Sequence, residues 1–237
     1  MKFEHDFEIN SHLCDSNGIL RPGAVMVYLQ ETANLQINAY GPNGDELRAQ
    51  HMAFVLSRFH FSLCAPIRAY GTIRGCTWGC PSHGYTFVRE HRLFSGNQLL
   101  CSATSIWALI NTETKTPLRT ECYHPGFTMD PLEGTLPLRV HENKLDVKPV
   151  GMHTVCYADA DQNHHMNNTV YADMLAAYLP MDGKFADEFT INYYHEAPLG
   201  SHLTVLLTPY GKDTYYFRTI RDDGETNTES IIHLADI

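Results

Sequence analysis

Apolar residues recur at helical spacing after Pro22: Val25, Tyr28, Leu29, Thr32 and Ala33 form one stripe, and Gly41-Pro42 ends it. Proline suits the first turn of a helix, where its missing N–H costs nothing. Ahead of this helix the pattern predicts a strand at 2–9 and a polar loop through Asn17-Gly18. After it the period turns to strands, at 54–62, 71–80, 85–94 and 99–111, with Ser95-Gly96-Asn97 as a hairpin turn. Residues 122–150 lack a clear period. Pro125-Gly126, Pro131, Gly134, Pro137 and Pro149 punctuate them, which predicts a connector running over the surface. The plan then returns in compressed form. A short strand is predicted at 155–158, then a polar loop at 159–168. A helix follows with the stripe Tyr171, Met174, Leu175 and Tyr178, capped by Asn167 or Asn168 and ended by Pro180. Strands are expected at 188–195, 203–210, 214–221 and 226–235.

Two copies of one plan imply a duplication, with halves at 1–125 and 151–237 joined by 126–150. Asp15-Ser16-Asn17-Gly18-Ile19 aligns with Asp161-Gln162-Asn163-His164-His165, so His165 faces Ile19. Phe61 to Pro66 aligns with Tyr193 to Pro198 through a shared Ala-Pro, which sets Glu196 opposite Cys64. Tyr85-Thr86-Phe87 aligns with Tyr215-Tyr216-Phe217. Titratable groups present only in the late copy predict a pocket shared by both halves, with the chemistry done by one.

Charge narrows the partners. The net charge is −10, and it is uneven: ten Lys/Arg against ten Asp/Glu in 1–125, three against four in 126–150, and four against thirteen in 151–237. No basic stripe exists to replace the counterions of a nucleic acid, so that partner class is set aside. An acidic partner would dock on the first half or the connector, where Arg58, Arg68, Arg74, Arg89, Arg92 and Arg119 fall. No apolar run approaches the roughly 18 residues of a membrane span, and Met1 to Asp6 lacks the basic and apolar regions of a signal peptide. A cytoplasmic protein without membrane insertion is expected. Seven cysteines is an odd count; Cys76 and Cys80 lie four apart in a strand without a second pair, so free thiols are expected rather than a zinc site.

The candidate chemistry lies at Asp161, Asn163 and His165, at i, i+2 and i+4. In an extended segment these side chains point to one side, and the segment leads into a helix N-terminus whose unpaired N–H groups favour negative charge. A carboxylate, an amide and an imidazole suit the activation of water and the stabilisation of an oxyanion. Glu196, at a strand end, can join them. The plainer reading of Asp-x-Asn is turn chemistry, and it is preferred for Asp15-x-Asn17. His164 reads as a solvated neighbour. No carboxylate at ligand spacing makes His164 and His165 a metal site, and Cys156 reads as a buried structural thiol before it reads as a nucleophile.

A long helix wrapped by an antiparallel sheet, repeated once, resembles the hotdog fold in tandem: an α+β chain that makes within itself the sheet-edge pairing single hotdogs make between copies. The run Asp161-x-Asn163-x-His165-Met166-Asn167-Asn168-x-x-Tyr171 resembles the signature of acyl-ACP thioesterases. Tyr194-His195-Glu196 lies where that family has an Arg-Arg-Glu-Cys segment, and Trp107 to Thr114 resembles the family's strand before its linker. The resemblance implies hydrolysis of fatty acyl-ACP to free fatty acid and acyl carrier protein. It implies catalytic roles for Asp161, Asn163, His165 and Glu196, an acyl-chain pocket in a catalytically degenerate first half, and neither cofactor nor metal. A homodimer is left open. Ala197 stands where plant members carry Cys, so a thiol mechanism through that position cannot apply, and attack by water is expected. Either Glu196 or Asp161 would be the base. Asn163 and helix N–H groups would hold the water or the oxyanion, and His165 would order the network or protonate the leaving thiolate. The plant members' transit peptide is absent, which fits a bacterial cytoplasmic member. An acyl-CoA thioesterase of the same fold and a non-catalytic acyl-thioester-binding hotdog protein are the rivals; a hotdog dehydratase lacks a matching motif.

Overall fold

The computed structural model describes residues 1–142 and 144–237. The first half contains β1 (Phe3–Glu8), α1 (Pro22–Tyr40), α2 (Gly44–Ala49), β2 (Met52–Leu63), β3 (Thr72–Cys80), β4 (Phe87–Ser95), β5 (Gln98–Asn111) and the two-residue β6 (Pro117–Leu118). The second contains β7 (Lys148–Thr154), α3 (Val170–Ala176), β8 (Lys184–Tyr193), β9 (His202–Gly211), β10 (Thr214–Arg221) and β11 (Thr226–Asp236). The strands form one antiparallel sheet in the order β1-β3-β4-β5-β2-β8-β11-β10-β9-β7, with β6 on β5. Read from the centre outwards, each half repeats the other, as expected of two hotdog units joined edge to edge.

The seam is β2 against β8. Phe59, Phe61, Phe189 and Ile191 alternate onto the helix side and are fully buried, with Phe61 paired to Phe189 and their rings 5.8 Å apart. His60 pairs with Thr190 at the middle of the seam, its Nδ1 2.9 Å from the threonine Oγ1. α1 lies across the inner face with its predicted stripe down: Val25, Tyr28, Leu29, Thr32 and Ala33 are all buried. It approaches β3 closely because Gly75 has no side chain; a Cβ there would stand 2.1 Å from Thr32 Oγ1. Arg21 offers α1 no side-chain cap. Asp173 of α3 does so instead, its carboxylate accepting the Gly23 N–H at 2.7 Å.

Several local expectations change. The second helix spans seven residues, and its N-cap is Thr169 rather than Asn167 or Asn168. Asn167 closes the preceding turn, accepting from the Thr169 N–H and hydroxyl. Tyr178 falls just beyond the helix, because the chain turns before Pro180. The strand expected at 155–158 lies at Lys148–Thr154. It is an edge strand with mostly exposed residues, so no apolar alternation marks it. α2 was not anticipated: it buries only Leu47 and owes its start to a capping box between Asn43 and Glu46. Among the described residues no helix is long and apolar enough to cross a membrane.

Sheet register also corrects two of the three repeat alignments. The loops match as aligned, since Leu20 N–H donates to Ile67 O as Met166 N–H donates to Ala197 O. That equivalence puts Glu196 opposite Pro66, not Cys64. Thr77 pairs with His91, and its counterpart Leu207 pairs with Phe217, so Phe217 matches His91 and not Phe87. Shared Ala-Pro and aromatic runs were coincidences of composition; the topology carries the duplication.

The connector is more than a surface crossing. Tyr123 and Phe127 are buried, the Asp130 N–H bonds Gly79 O at the sheet edge, and the chain then straps the outer face. Trp78 Nε1 donates to Pro131 O, Arg58 to Pro137 O, Tyr194 to Val140 O, and Arg218 to Glu142 O. Wholly buried Glu90 accepts the N–H groups of Glu133 and Gly134 and pairs with Arg92. Asn143 of this connector lies outside the described residues.

Beneath α1, His91 is fully buried, its Nδ1 3.0 Å from Leu29 O and its Nε2 2.9 Å from Ser105 Oγ. Burial, with Arg89 nearby, pushes its pKa down to about 3, so the folded protein holds it neutral. The unfolded chain takes up a proton near the ordinary histidine value. Stability conferred by neutral His91 is therefore present above that value and lost as pH falls towards about 3, at up to about 1.4 kcal/mol per pH unit. Urea unfolding across this window should show that slope, and His91→Gln should flatten it; an unchanged slope would contradict the assignment.

Candidate active site

The four candidate residues stand on two loops that hydrogen-bonding locks together. Residues 161–165 form a closed turn rather than an extended segment: the Asp161 N–H bonds His165 O at 2.9 Å, and the His164 N–H bonds Asp161 O at 3.0 Å. His164 sits at φ +62°, the left-handed region its counterpart Gly18 adopts at +72°. The second loop leaves β8 at Tyr193 and turns back against the first. Met166 N–H donates to Ala197 O, and Leu199 N–H donates to His164 O. His165 thus pairs with Pro198 as Ile19 pairs with Arg68. Asn227 anchors the base of the second loop, its Nδ2 donating to His195 O at 2.5 Å.

These loops bring the side chains together as two pairs. Asp161 Oδ1 accepts the Asn163 N–H at 2.8 Å, and its Oδ2 accepts Asn163 Nδ2 at 3.3 Å. His165 Nε2 lies 3.4 Å from Glu196 Oε2. The backbone bond from Asp161 to His165 joins the pairs; no side-chain hydrogen bond or ion pair links them among the described residues. α3 begins five residues after His165, so the helix N-terminus does not abut the turn as the sequence suggested. In the early copy, Asp15 Oδ1 accepts the N–H groups of both Asn17 and Ile19, the turn chemistry expected there. Asp161 keeps the first of these bonds and gives its other oxygen to the Asn163 amide. Turn chemistry and a polar cluster therefore coexist in the late copy.

A cavity of about 540 Å³ joins this turn to the first half. Gln162 and Asn163 line it together with Gln30 and Asn34 of α1, and its walls include Ile37, Phe54 and Phe87. Its size and mixed lining suit a small-molecule site. A smaller cavity of about 340 Å³ repeats the arrangement with the roles exchanged: Asp15 to Asn17 face the residues around α3. There Asn17 Nδ2 is spent on Met181 O. Each half's turn thus closes against the other half's helix.

Two side chains differ from expectation. Cys156 is exposed, not a buried structural thiol, and its N–H bonds the Asp159 carboxylate, which also meets His153 at 3.0 Å. His164 is exposed, as read from sequence. Arg89, expected on a docking face, is buried in the cavity wall. The cavity-lining residues of α1 and the connector were not named from sequence as site residues, because a polar residue lining a cavity and one facing solvent leave the same pattern.

The model of the acyl-ACP thioesterase N-terminal domain matches residues 1–122, and that of the acyl-ACP thioesterase C-terminal domain matches 143–235. Among solved structures, an acyl-ACP thioesterase from Bacteroides thetaiotaomicron is similar at 21% identity and a TM-score of 0.85, covering 99% of this chain and 98% of its own. A 12:0-ACP thioesterase from Umbellularia californica is similar at 19% identity and a TM-score of 0.80, covering 100% and 98%. At such identities these likenesses show the fold. No curated protein matches in sequence.

His164 is strained where Gly18 is not. A side chain in the left-handed region costs about 1–2 kcal/mol, and glycine's extra freedom in the unfolded chain returns part of that. His164→Gly should therefore stabilise the protein by roughly 0.5–1 kcal/mol in thermal unfolding. A destabilised variant would show that the imidazole makes a compensating interaction.

Proposed function

The chain belongs to the acyl-ACP thioesterase family of thioester hydrolases, and from that premise we propose that it releases free fatty acid from acyl-ACP by direct attack of water at the late turn. The observation that carries the reading is the His165–Glu196 pair, with His165 on the same locked turn as Asn163, which lines the cavity.

Asp161 is engaged twice by Asn163 and serves to orient that amide. The proton acceptor is then the His165–Glu196 pair. With Nε2–H directed at Glu196, the imidazole Nδ1 takes a proton from water as the water oxygen bonds the thioester carbon. Asn163, its amide fixed by Asp161, faces the oxyanion that develops on the carbonyl oxygen. Collapse of the tetrahedral intermediate breaks the C–S bond, and protonated His165 delivers its proton to the departing thiolate. The products are a carboxylic acid and the carrier thiol. The first-half cavity, walled by Ile37, Phe54 and Phe87, supports an acyl-chain pocket built by the half that lost the chemistry. Ala197 follows Glu196 and is buried, so no thiol is available at that position.

Glu196→Ala and His165→Ala should each lower turnover by roughly 10²–10⁴-fold without unfolding the protein, whereas Cys156→Ser should remain active. Full activity in both of the first pair, or a folded but inactive Cys156→Ser, would overturn the mechanism. Thiol release from acyl-ACP should be faster than from acyl-CoA of the same chain; an equal or reversed order would make this an acyl-CoA thioesterase.

A further inference from the structure

We propose that the buried end of the cavity recognises a carboxylate carried by the acyl chain away from the thioester, which makes carboxylate-bearing acyl thioesters a substrate class of this protein. The inference rests on the thioester hydrolysis proposed above.

It is carried by Arg89, which lines the cavity from β4 at 9% exposure. Its Nη1 donates to Gln36 Oε1 at 2.6 Å and to Thr77 Oγ1 at 3.2 Å, both neutral acceptors. Its Nε and Nη2 make no hydrogen bond, and no carboxylate lies within ion-pair distance among the described residues. Two other arginines of this sheet differ. Arg92 pairs with buried Glu90 and Arg218 with buried Glu229, both on the outer face under the connector. Arg89 alone of these three is left to the cavity without a counter-charge. Burial lowers its pKa to about 10, so it remains a cation at neutral pH.

A second group points the same way. Tyr123 lines the same cavity, is 8% exposed, and its hydroxyl has no hydrogen-bond partner among the described residues. Phe127 lies under the guanidinium at 5.5 Å, a cation–π contact. A methyl end laid here would seal an unpaired cation from water and return nothing. A carboxylate would accept the free guanidinium donors and the tyrosine O–H, neutralising the charge in the fork geometry that arginine favours. Ile37 and Phe87 would flank the apolar stretch between that group and the thioester at Asn163.

The test compares acyl-ACPs of equal length ending in methyl or in carboxylate, across a series of lengths. At the length that reaches Arg89, the carboxylate form should have a kcat/KM at least about tenfold higher. Arg89→Met should abolish that preference, and Tyr123→Phe should reduce it. Equal or better hydrolysis of the methyl forms at every length, or a preference that survives Arg89→Met, would overturn the proposal. Should Arg89→Met fail to fold, Tyr123→Phe and Arg89→Lys decide by the same comparison, an undiminished preference in both counting against it. Calorimetry with free α,ω-dicarboxylic acids separates this site from the hydrolytic reading. Binding to the wild type and to His165→Ala, weakened at least about tenfold in Tyr123→Phe or Arg89→Met, upholds the site even if no thioester is cleaved. Absence of binding to the wild type refutes it.

Discussion

The antiparallel pairing of β2 with β8 is the constraint from which the rest of the molecule follows. Through it the two halves share one sheet and one core, and Phe59, Phe61, Phe189 and Ile191 are buried where each half alone would expose an edge. Burying such side chains contributes about 1.5–3 kcal/mol each, so the halves are held in one register rather than sliding. That register puts the turn of one half against the helix of the other, twice. Both cavities lie at these crossings, and the tie between Asp173 and the Gly23 N–H binds the helices in the same sense.

Within this symmetric frame the two turns share a backbone but not their side chains. Asp15 and Asp161 form the same turn, and Gly18 and His164 share the same left-handed geometry. What separates the copies is Ile19 against His165 and Pro66 against Glu196. One turn is a core element, since Ile19 is buried; the other carries a partly exposed ionisable pair. The larger of the two cavities is the one that the late turn enters through Gln162 and Asn163, while Asn17 spends its amide on Met181.

Buried charge is handled differently on the two faces of the sheet. On the outer face the connector supplies backbone donors and acceptors that satisfy Glu90, Arg58 and Arg218, and Glu229 is held below the usual carboxylate range despite its burial by bonds from Tyr216, Tyr194, Arg218 and His141. On the inner face His91 is neutral and Arg89 has only neutral acceptors. The connector thus serves both faces, lining the cavity with Tyr123 and Phe127 before crossing to the outside.

Periodicity determined much of this structure, because burial of one face writes its period into the chain. The stripe from Val25 to Ala33, the long strands and the hairpin at Gly96 were legible for that reason, as were the Asp161-to-His165 run and Glu196, whose residue types are unusual together. Features that bury little left no period: exposed β7, the capped turn of α2, and the strap formed by the connector. Register was invisible too, since shared residue pairs such as Ala-Pro do not fix which backbone groups meet, and only the sheet set Pro66 against Glu196. The tertiary structure alone decided that 161–165 closes into a turn, that its side chains divide into two pairs, and that Arg89 faces a cavity rather than solvent. An arginine in a strand reads the same in either place. Which face it takes depends on the residues brought against it from far along the chain, here Gln36, Thr77 and Phe127.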